Sequence, residues 1–309
     1  MHITAGSQLG PYRVQELIGK GGMGEVYRAY DSRLDRGVAL KVLAPDVPST
    51  QEHLARFAQE ARAAATINHP NVVTVYDVGA HDGTPFIISE LLEGETLRAR
   101  LAARALRATA AVAYGRQITE GLIAAHRLGI VHRDLKPENV FITRGERVKI
   151  LDFGLARCRE QAIERLQDPV ISTRPGTLLG TVGYMSPEQI RGHALDARSD
   201  LFSLGAILYE MVAGAPAFHG DSPIETLSAI LRDDPPRLRS AAAAVPEFDR
   251  VIRHCLEKDR DARFQSARDL LFNLELVAAA RRDRGAQCNV GDDAWTSIKV
   301  NGWWHRCFG

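Results

Sequence analysis

The apolar residues of this chain change their period near Gly94, and that switch limits the folds open to it more than any other feature. Before it come short runs rich in β-branched and aromatic residues: YRVQELIG, GEVYRAY and GVALKVL, then NVVTVYDVGA and TPFIISELL about the turn HDG. Such runs, punctuated by glycine and aspartate, read as strands. Between the third and fourth, STQEHLARFAQEARAAATI opens with Ser49 and Glu52 at capping-box spacing and repeats Leu54, Phe57 and Ala61 at helical intervals. Beyond Gly94 the patterns are long and helical: TLRARLAARALRATAAVAYGRQITEGLIAAHRLG, LFSLGAILYEMVAG, ETLSAILRDD, FDRVIRHCL and ARDLLFNLELVAAA. The expectation is an α+β chain of two lobes, one small and β-rich with a single main helix, the other larger and helical. They join near Glu90 to Gly94, and a cleft between two lobes is a favoured ligand site.

A chain of 309 residues can bury a sizeable core. Its 39 Lys plus Arg against 38 Asp plus Glu leave a formal charge of +1, so no global field selects nucleic acid or an anionic membrane as partner. Cys158, Cys255, Cys288 and Cys307 lack paired CxxC spacing and read as reduced thiols of a cytoplasmic protein. The N-terminus carries no signal pattern, and the greasiest stretch, from Leu201, is interrupted by Glu210, Gly214 and Pro216, so no membrane span is expected.

Four stretches bear on chemistry. Residues Gly19, Lys20, Gly21, Gly22, Met23, Gly24, Glu25 and Val26 spell GxGxxGxV between two strand-like runs, which suits either a plain glycine turn or a hairpin laid close over phosphates. No GK[ST] follows, which excludes a P-loop. In VALKVL, alternation puts Ala39, Lys41 and Leu43 on one face and Val38, Leu40 and Val42 on the other. Lys41 then either pairs with Glu60 of the following helix or snorkels out of an edge strand. The stretch VHRDLKPENV crowds charge between apolar runs, as a polar loop or as a site. In RVKILDFGLA a strand-like run ends at Asp152, with Gly154 two residues on, an arrangement suited to a magnesium ligand on a segment that can move.

GxGxxGxV, VALK, a helix glutamate, HRDLKPEN, DFG and SPE, in that order over Tyr12 to Val277, resemble the eukaryotic-like (Hanks-type) serine/threonine protein kinases of bacteria. The resemblance implies the bilobal protein-kinase fold over residues 12–278, with N-lobe 12–89, hinge 90–94 and C-lobe 95–278, after an N-terminal extension 1–11 and before a tail 279–309. It implies a non-specific serine/threonine protein kinase using ATP with Mg2+, or Mn2+, on protein substrates and on its own activation loop, with a transient homodimer for phosphorylation in trans. By similarity Ile18 and the glycine run would cover the nucleotide with Ala39, Glu90 and Leu92, while Lys41, paired to Glu60, meets the phosphates. Asp134 would accept the proton of the substrate hydroxyl, Lys136 would stabilise the transferred phosphoryl, and Asn139 and Asp152 would hold metal. Arg133 would bind a phosphorylated loop, for which Ser172, Thr173 and Thr177 are candidates, and Thr181 would contact the catalytic aspartate and lysine. Ser89 falls at the gatekeeper position, where its small side chain suggests a back pocket unless neighbours fill it.

Glu188 of Ser186-Pro187-Glu188 has an expected structural ion-pair partner in Arg263. Asp200 is expected to anchor the catalytic-loop backbone, or to be a plain N-cap. His132 and Glu138 read as structural. The tail, with Trp295, Trp303, Trp304, Cys288, His305 and Cys307, lacks zinc-ligand spacing and is either an aromatic anchor or a reading-frame artefact. Two rivals remain beside an active kinase: a nucleotide-binding pseudokinase scaffold, opposed by intact Lys41, Asp134, Asn139 and Asp152, and a small-molecule phosphotransferase of related fold.

Overall fold

Alternating burial along the first strands builds one antiparallel sheet. The computed structural model describes residues 3–21, 24–43, 51–81, 83–153, 182–238 and 246–293, with the backbone alone for 51–56 and 281–293. Strands β1 (Gln8–Leu9), β2 (Tyr12–Gly21), β3 (Gly24–Asp31), β4 (Arg36–Leu43), β5 (Val75–His81) and β6 (Thr84–Glu90) form a sheet in the order β1-β2-β3-β4-β6-β5. On β4, Val38, Leu40 and Val42 enter a core with Leu9, Tyr12, Val14 and Phe86. The opposite face carries Ala39, Lys41 and Leu43, and Leu43 meets Phe57 and Ala61 of α1 (Gln51–Ala65). Because β4 is paired on both sides, to β3 and β6, the edge-strand reading of Lys41 does not hold. Ser49, half of the expected capping box, lies outside the described residues.

Two boundaries differ from the sequence reading. Within the segment set apart as an extension, β1 pairs with β2, and Leu9 is buried in the small-lobe core. The run from Asn71 does not enter a strand until Val75. Instead the Val73 amide donates to the Ile150 carbonyl at 2.9 Å and the Ile150 amide to the Asn71 carbonyl at 2.8 Å, so this stretch is stitched to the large lobe. Val72, Ile67 and Ala64 accordingly pack in the large-lobe core.

The large lobe comprises α2 (Leu97–Ala103), α3 (Ala108–His126), α4 (Pro187–Ile190), α5 (Ala197–Ala213), α6 (Pro223–Arg232), α7 (Pro246–Cys255) and α8 (Ala267–Asp293), with a small sheet β7-β8-β9 (Gly94–Thr96, Val140–Thr143, Val148–Ile150). The long helical pattern after Gly94 is broken: Arg104 is extended, and the Leu106 amide donates to the Met211 carbonyl at 2.6 Å, a tertiary bond that outweighs local helix propensity. Helix α5 is apolar nearly all round and is buried nearly all along. A Cβ on Gly205 would sit 2.5 Å from Cys255 Cβ, so only glycine lets α7 pack this closely on α5. The N-cap of α5 is Asp196, whose side chain accepts from the Arg198 amide at 2.8 Å. Asp200 lies one turn further in, which removes the capping reading for it.

Candidate active site

The charged stretch after α3 is a loop held from beneath by one carboxylate. Asp200 is fully buried, and its Oδ1 accepts from the Arg133 amide at 2.9 Å. Its Oδ2 accepts from the His132 amide at 2.9 Å and pairs with His126 Nε2 at 2.8 Å. Burial works to raise this carboxyl, but the bond from His126 and that from the His132 backbone hold it below the usual carboxylate range. Arg133 sits at φ +69°, a left-handed conformation costing about 1–3 kcal/mol in a residue with a side chain. Its amide is held by Asp200, and its carbonyl accepts from Gln189 Nε2 at 2.5 Å. Gln189 is the third residue of α4, where a capping box with Ser186 fixes it: the Ser186 amide donates to Gln189 Oε1 at 2.9 Å.

Above this anchor the polar side chains of the loop converge. Lys136 Nζ lies 2.7 Å from Asp134 Oδ2, and Asn139 Nδ2 donates to the Asp134 carbonyl at 2.8 Å. His132 Nε2 meets the Leu151 carbonyl at 2.8 Å while its Nδ1 faces the Asp134 amide at 3.3 Å. A carbonyl can only accept and an amide can only donate, so the ring is the neutral Nε2–H tautomer. His132 thus ties the loop of Asp134 to the strand end that carries Asp152, and Phe153 packs edge-on against it at 4.7 Å between centroids. Glu138 accepts from Arg98 Nε at 2.7 Å, in a cluster with Glu210 and Tyr184.

From the sheet side, Lys41 reaches Asp152 Oδ2 at 2.6 Å, with the lysine side chain 14% exposed and the aspartate 21%. This bond crosses from one lobe to the other. Asp152 also has φ +58°, a conformation aspartate tolerates better than most residues. Glu60 is half-buried on α1, next to Ala61. A cavity of about 50 Å³ opens beside Ser89, walled by Ala61, Ala64, Ile87 and Phe153 among others. Glu90 donates its amide to the Thr74 carbonyl at 3.0 Å, and its carboxylate accepts from the Thr74 amide at 2.8 Å and from Lys149 at 2.6 Å. Its side chain therefore braces the join of the lobes and Leu92 follows half-buried.

The glycine run spans the turn of the β2–β3 hairpin, with Gly19 opposite Val26, Lys20 opposite Glu25 and Gly21 opposite Gly24. Lys20 and Glu25 pair at 2.8 Å on the surface, and Ile18 is exposed. Gly24 has φ +130°, and a Cβ there would lie 1.9 Å from the Val42 carbonyl oxygen. Only glycine fits. Gly22 and Met23 of this run lie outside the described residues, as do Gly154, Ser172, Thr173, Thr177, Thr181 and the tail from residue 294, while the helix Ala267–Asp293 runs past the expected start of the tail at residue 279.

The expected structural pair is in place: Arg263 NH1 and NH2 lie 2.7 and 2.8 Å from the two oxygens of Glu188, with 0% and 6% side-chain exposure. Burial works against the Glu188 charge, and the bonds from Arg263 and Ser199 hold its carboxyl below the usual range. Sequence reasoning missed His126 and Gln189. The Ser186-to-Gln189 capping spacing was a usable signal for the second, whereas nothing local marks His126.

As a metal site the donor set is hard. Asn139 spends its amide nitrogen on the Asp134 carbonyl, so its side-chain oxygen and the Asp152 carboxylate are the hard donors the two expected ligand residues could offer a cation. Two oxygens are too few for a closed protein cage, and among the described residues no group of three or more His, Cys, Asp or Glu is placed to hold a metal ion. That fits magnesium, which keeps waters and shares its shell with phosphates. Among the described residues no helix is long and apolar enough to cross a membrane.

A family model described as the protein kinase domain matches residues 12–272. Among curated proteins, a probable serine/threonine-protein kinase of Streptomyces coelicolor is 39% identical over 272 residues, covering 86% of this chain and 40% of that protein. Serine/threonine-protein kinase PknB of Mycolicibacterium smegmatis is 40% identical, covering 85% and 42%, and PknL of Mycobacterium tuberculosis is 41% identical, covering 86% and 65%. The chain thus spans about two fifths of the length of the first two relatives. Among solved structures, the crystal structure of the Mycobacterium tuberculosis PknI kinase domain superposes with a TM-score of 0.71 at 26% identity, covering 90% of this chain and all of that one.

Proposed function

The chain belongs to the protein kinase family, and on that premise we propose that it transfers the γ-phosphoryl of Mg-ATP to serine and threonine hydroxyls of proteins, its own activation loop included. The observation that carries the reading is the convergence of Asp134, Lys136 and Asn139 on one anchored loop of the lobe that also carries Asp152, which Lys41 reaches from the other lobe. Phosphoryl transfer through a loose transition state needs positioning and positive charge rather than covalent help.

Each side chain then has a task its surroundings support. Asp134 accepts the hydroxyl proton, and its orientation is fixed through Lys136 and Asn139. Lys136, already within reach of that carboxylate, neutralises charge on the phosphoryl as it moves. Lys41 holds the α and β phosphates, in company with Glu60, and the β2–β3 hairpin covers them with its amides. Asn139 Oδ1 and the Asp152 carboxylate would hold the metal, which when bound would supply charge neutralisation for the transferred phosphoryl group. The backbone of Glu90 to Leu92 meets the adenine. Arg133, its backbone pinned on both sides, presents its guanidinium to a phosphate on Ser172, Thr173 or Thr177, placed there in trans by a second copy. A cytoplasmic setting agrees with the free buried thiol of Cys255.

Two variants separate the roles. Asp134→Asn should bind Mg-ATP with near-normal affinity yet lose transfer to a generic basic protein, while Asp152→Asn should lose the magnesium-dependent part of ATP binding. Transfer persisting undiminished in Asp134→Asn would remove the proton acceptor, and unchanged magnesium dependence in Asp152→Asn would remove the metal ligand.

A further inference from the structure

A second polar pocket lies at the base of the large lobe, away from the cleft, between the residues that follow α4 and those that follow α7. It holds about 330 Å³ and is lined by Glu188, Arg191, His193, Lys258, Asp259 and Arg260. Its acids are engaged. Both oxygens of Glu188 are taken by Arg263, with Ser199 on one of them. The Asp259 carboxylate caps the following 3-10 turn by accepting from the Asp261 amide at 2.9 Å. Arg260 is partly engaged, with NH1 3.3 Å from the Ala194 carbonyl.

Two cations have no such partner. The Arg191 side chain makes no hydrogen bond or ion pair among the described residues and is exposed at the rim. Lys258 is the sharper case: its Nζ is buried and has no hydrogen-bond acceptor among the described residues, resting instead 4.0 Å over the Phe218 ring. Desolvation lowers its pKa to about 8, against the opposing pull of Asp234 and Asp233 after α6 and of Glu257, and with Arg263 acting in the same direction as burial. Lys258 borders the cavity while its ammonium, closed off from solvent against the Phe218 ring, leaves its donors unmet, and turning that flexible side chain toward an acceptor in the cavity would satisfy them.

We propose that this pocket binds a phosphoryl group, carried on a phosphorylated serine or threonine side chain or free as inorganic phosphate. Cationic side chains from two separate segments suit a ligand with three strong acceptor oxygens and close to two negative charges better than a carboxylate. The guanidinium of Arg191 offers a fork and Lys258 a point charge, and His193 lines the same pocket.

The test uses the whole chain labelled with carbon-13 at lysine Cε, so that the Lys258 signal is identified by its absence in Lys258→Met. Inorganic phosphate, a peptide with one phosphoserine and the same peptide unphosphorylated are titrated in separate arms. The Lys258 signal should move saturably with phosphate or with the phosphopeptide and not with the unphosphorylated peptide, and which of the two arms binds names the source. Arg191→Ala, an exposed position that the fold tolerates, should weaken the response by about tenfold or more. A Lys258 signal that stays still in every arm, that moves equally with the unphosphorylated peptide, or that saturates unchanged in Arg191→Ala overturns the proposal.

Discussion

Replacing Asp200 by asparagine changes almost no volume, yet it strikes the one group on which three donors meet. The amides of His132 and Arg133 and the His126 ring all address its two oxygens at 2.8–2.9 Å, in a fully buried position. An asparagine can keep its oxygen on the Arg133 amide, but its nitrogen then faces the His132 amide, donor against donor. A buried unsatisfied amide costs about 1–3 kcal/mol, and charge-assisted bonds become neutral ones, so Asp200→Asn should lose about 2–4 kcal/mol of stability. His126 can accept only by moving its proton to Nδ1, which is buried without a partner and offers no relief. The loop suffers more than the fold, because Arg133 at φ +69° stays there only while its flanks are pinned. If the strain of about 1–3 kcal/mol is released, the active geometry becomes a minor state and kcat falls by about tenfold to a hundredfold. Neither Lys41 nor the glycine hairpin is touched, so KM for ATP should hold within about threefold. Urea titration and steady-state kinetics on the same preparation measure both effects. A stability loss under about 0.5 kcal/mol with kcat within twofold, or a loss falling wholly on KM for ATP, would refute the anchoring argument. The same variant alters the acid limb. The Asp200 carboxyl is held below its unfolded value, so its stabilisation is complete above the ordinary carboxylate range and is lost as pH falls through the folded value, and asparagine should flatten that part of the curve.

Arg263→Met leaves the Glu188 carboxylate buried and unpaired, which should cost about 3–5 kcal/mol in urea melts, while the additional change Glu188→Gln should recover part of it. The single variant should also become more stable on mild acidification, opposite to the parent, because Glu188 loses the partner that keeps its carboxyl low. Gly24→Val drives a Cβ into the Val42 carbonyl, so ATP affinity should fall by at least tenfold in a titration while the urea midpoint of the large lobe stays near that of the parent. Gln189→Ala frees the Arg133 carbonyl and should lower kcat severalfold without moving KM for ATP.

What could be read ahead of the structure was local. The period change at Gly94, the alternation of VALKVL and the glycine hairpin rest on neighbours in sequence, and each appears in the fold. What could not be read depends on distant pairing. Whether Lys41 lies on an edge or a central strand is decided by β6, far along the chain, and its Asp152 partner is supplied by the other lobe. The break before α3 comes from a tertiary bond to Met211, and the stretch from Asn71 is claimed by Ile150. Asp200 looked like a cap because an acid before an apolar run usually is one, and only the presence of Asp196 four residues earlier, in contact with its own helix, separates the roles. Of the residues that hold the Asp134 loop, Gln189 was legible only as the capping partner of Ser186, and His126 not at all.

The most direct test of phosphoryl transfer by the Asp134 loop is mass spectrometry of the purified chain after incubation with Mg-ATP, beside Asp134→Asn. The account predicts phosphate on serine or threonine residues of the parent chain, with Ser172, Thr173 or Thr177 among them, and none added to the variant. A parent chain that stays unmodified and transfers nothing to protein substrates, or equal phosphate on both proteins, would contradict it.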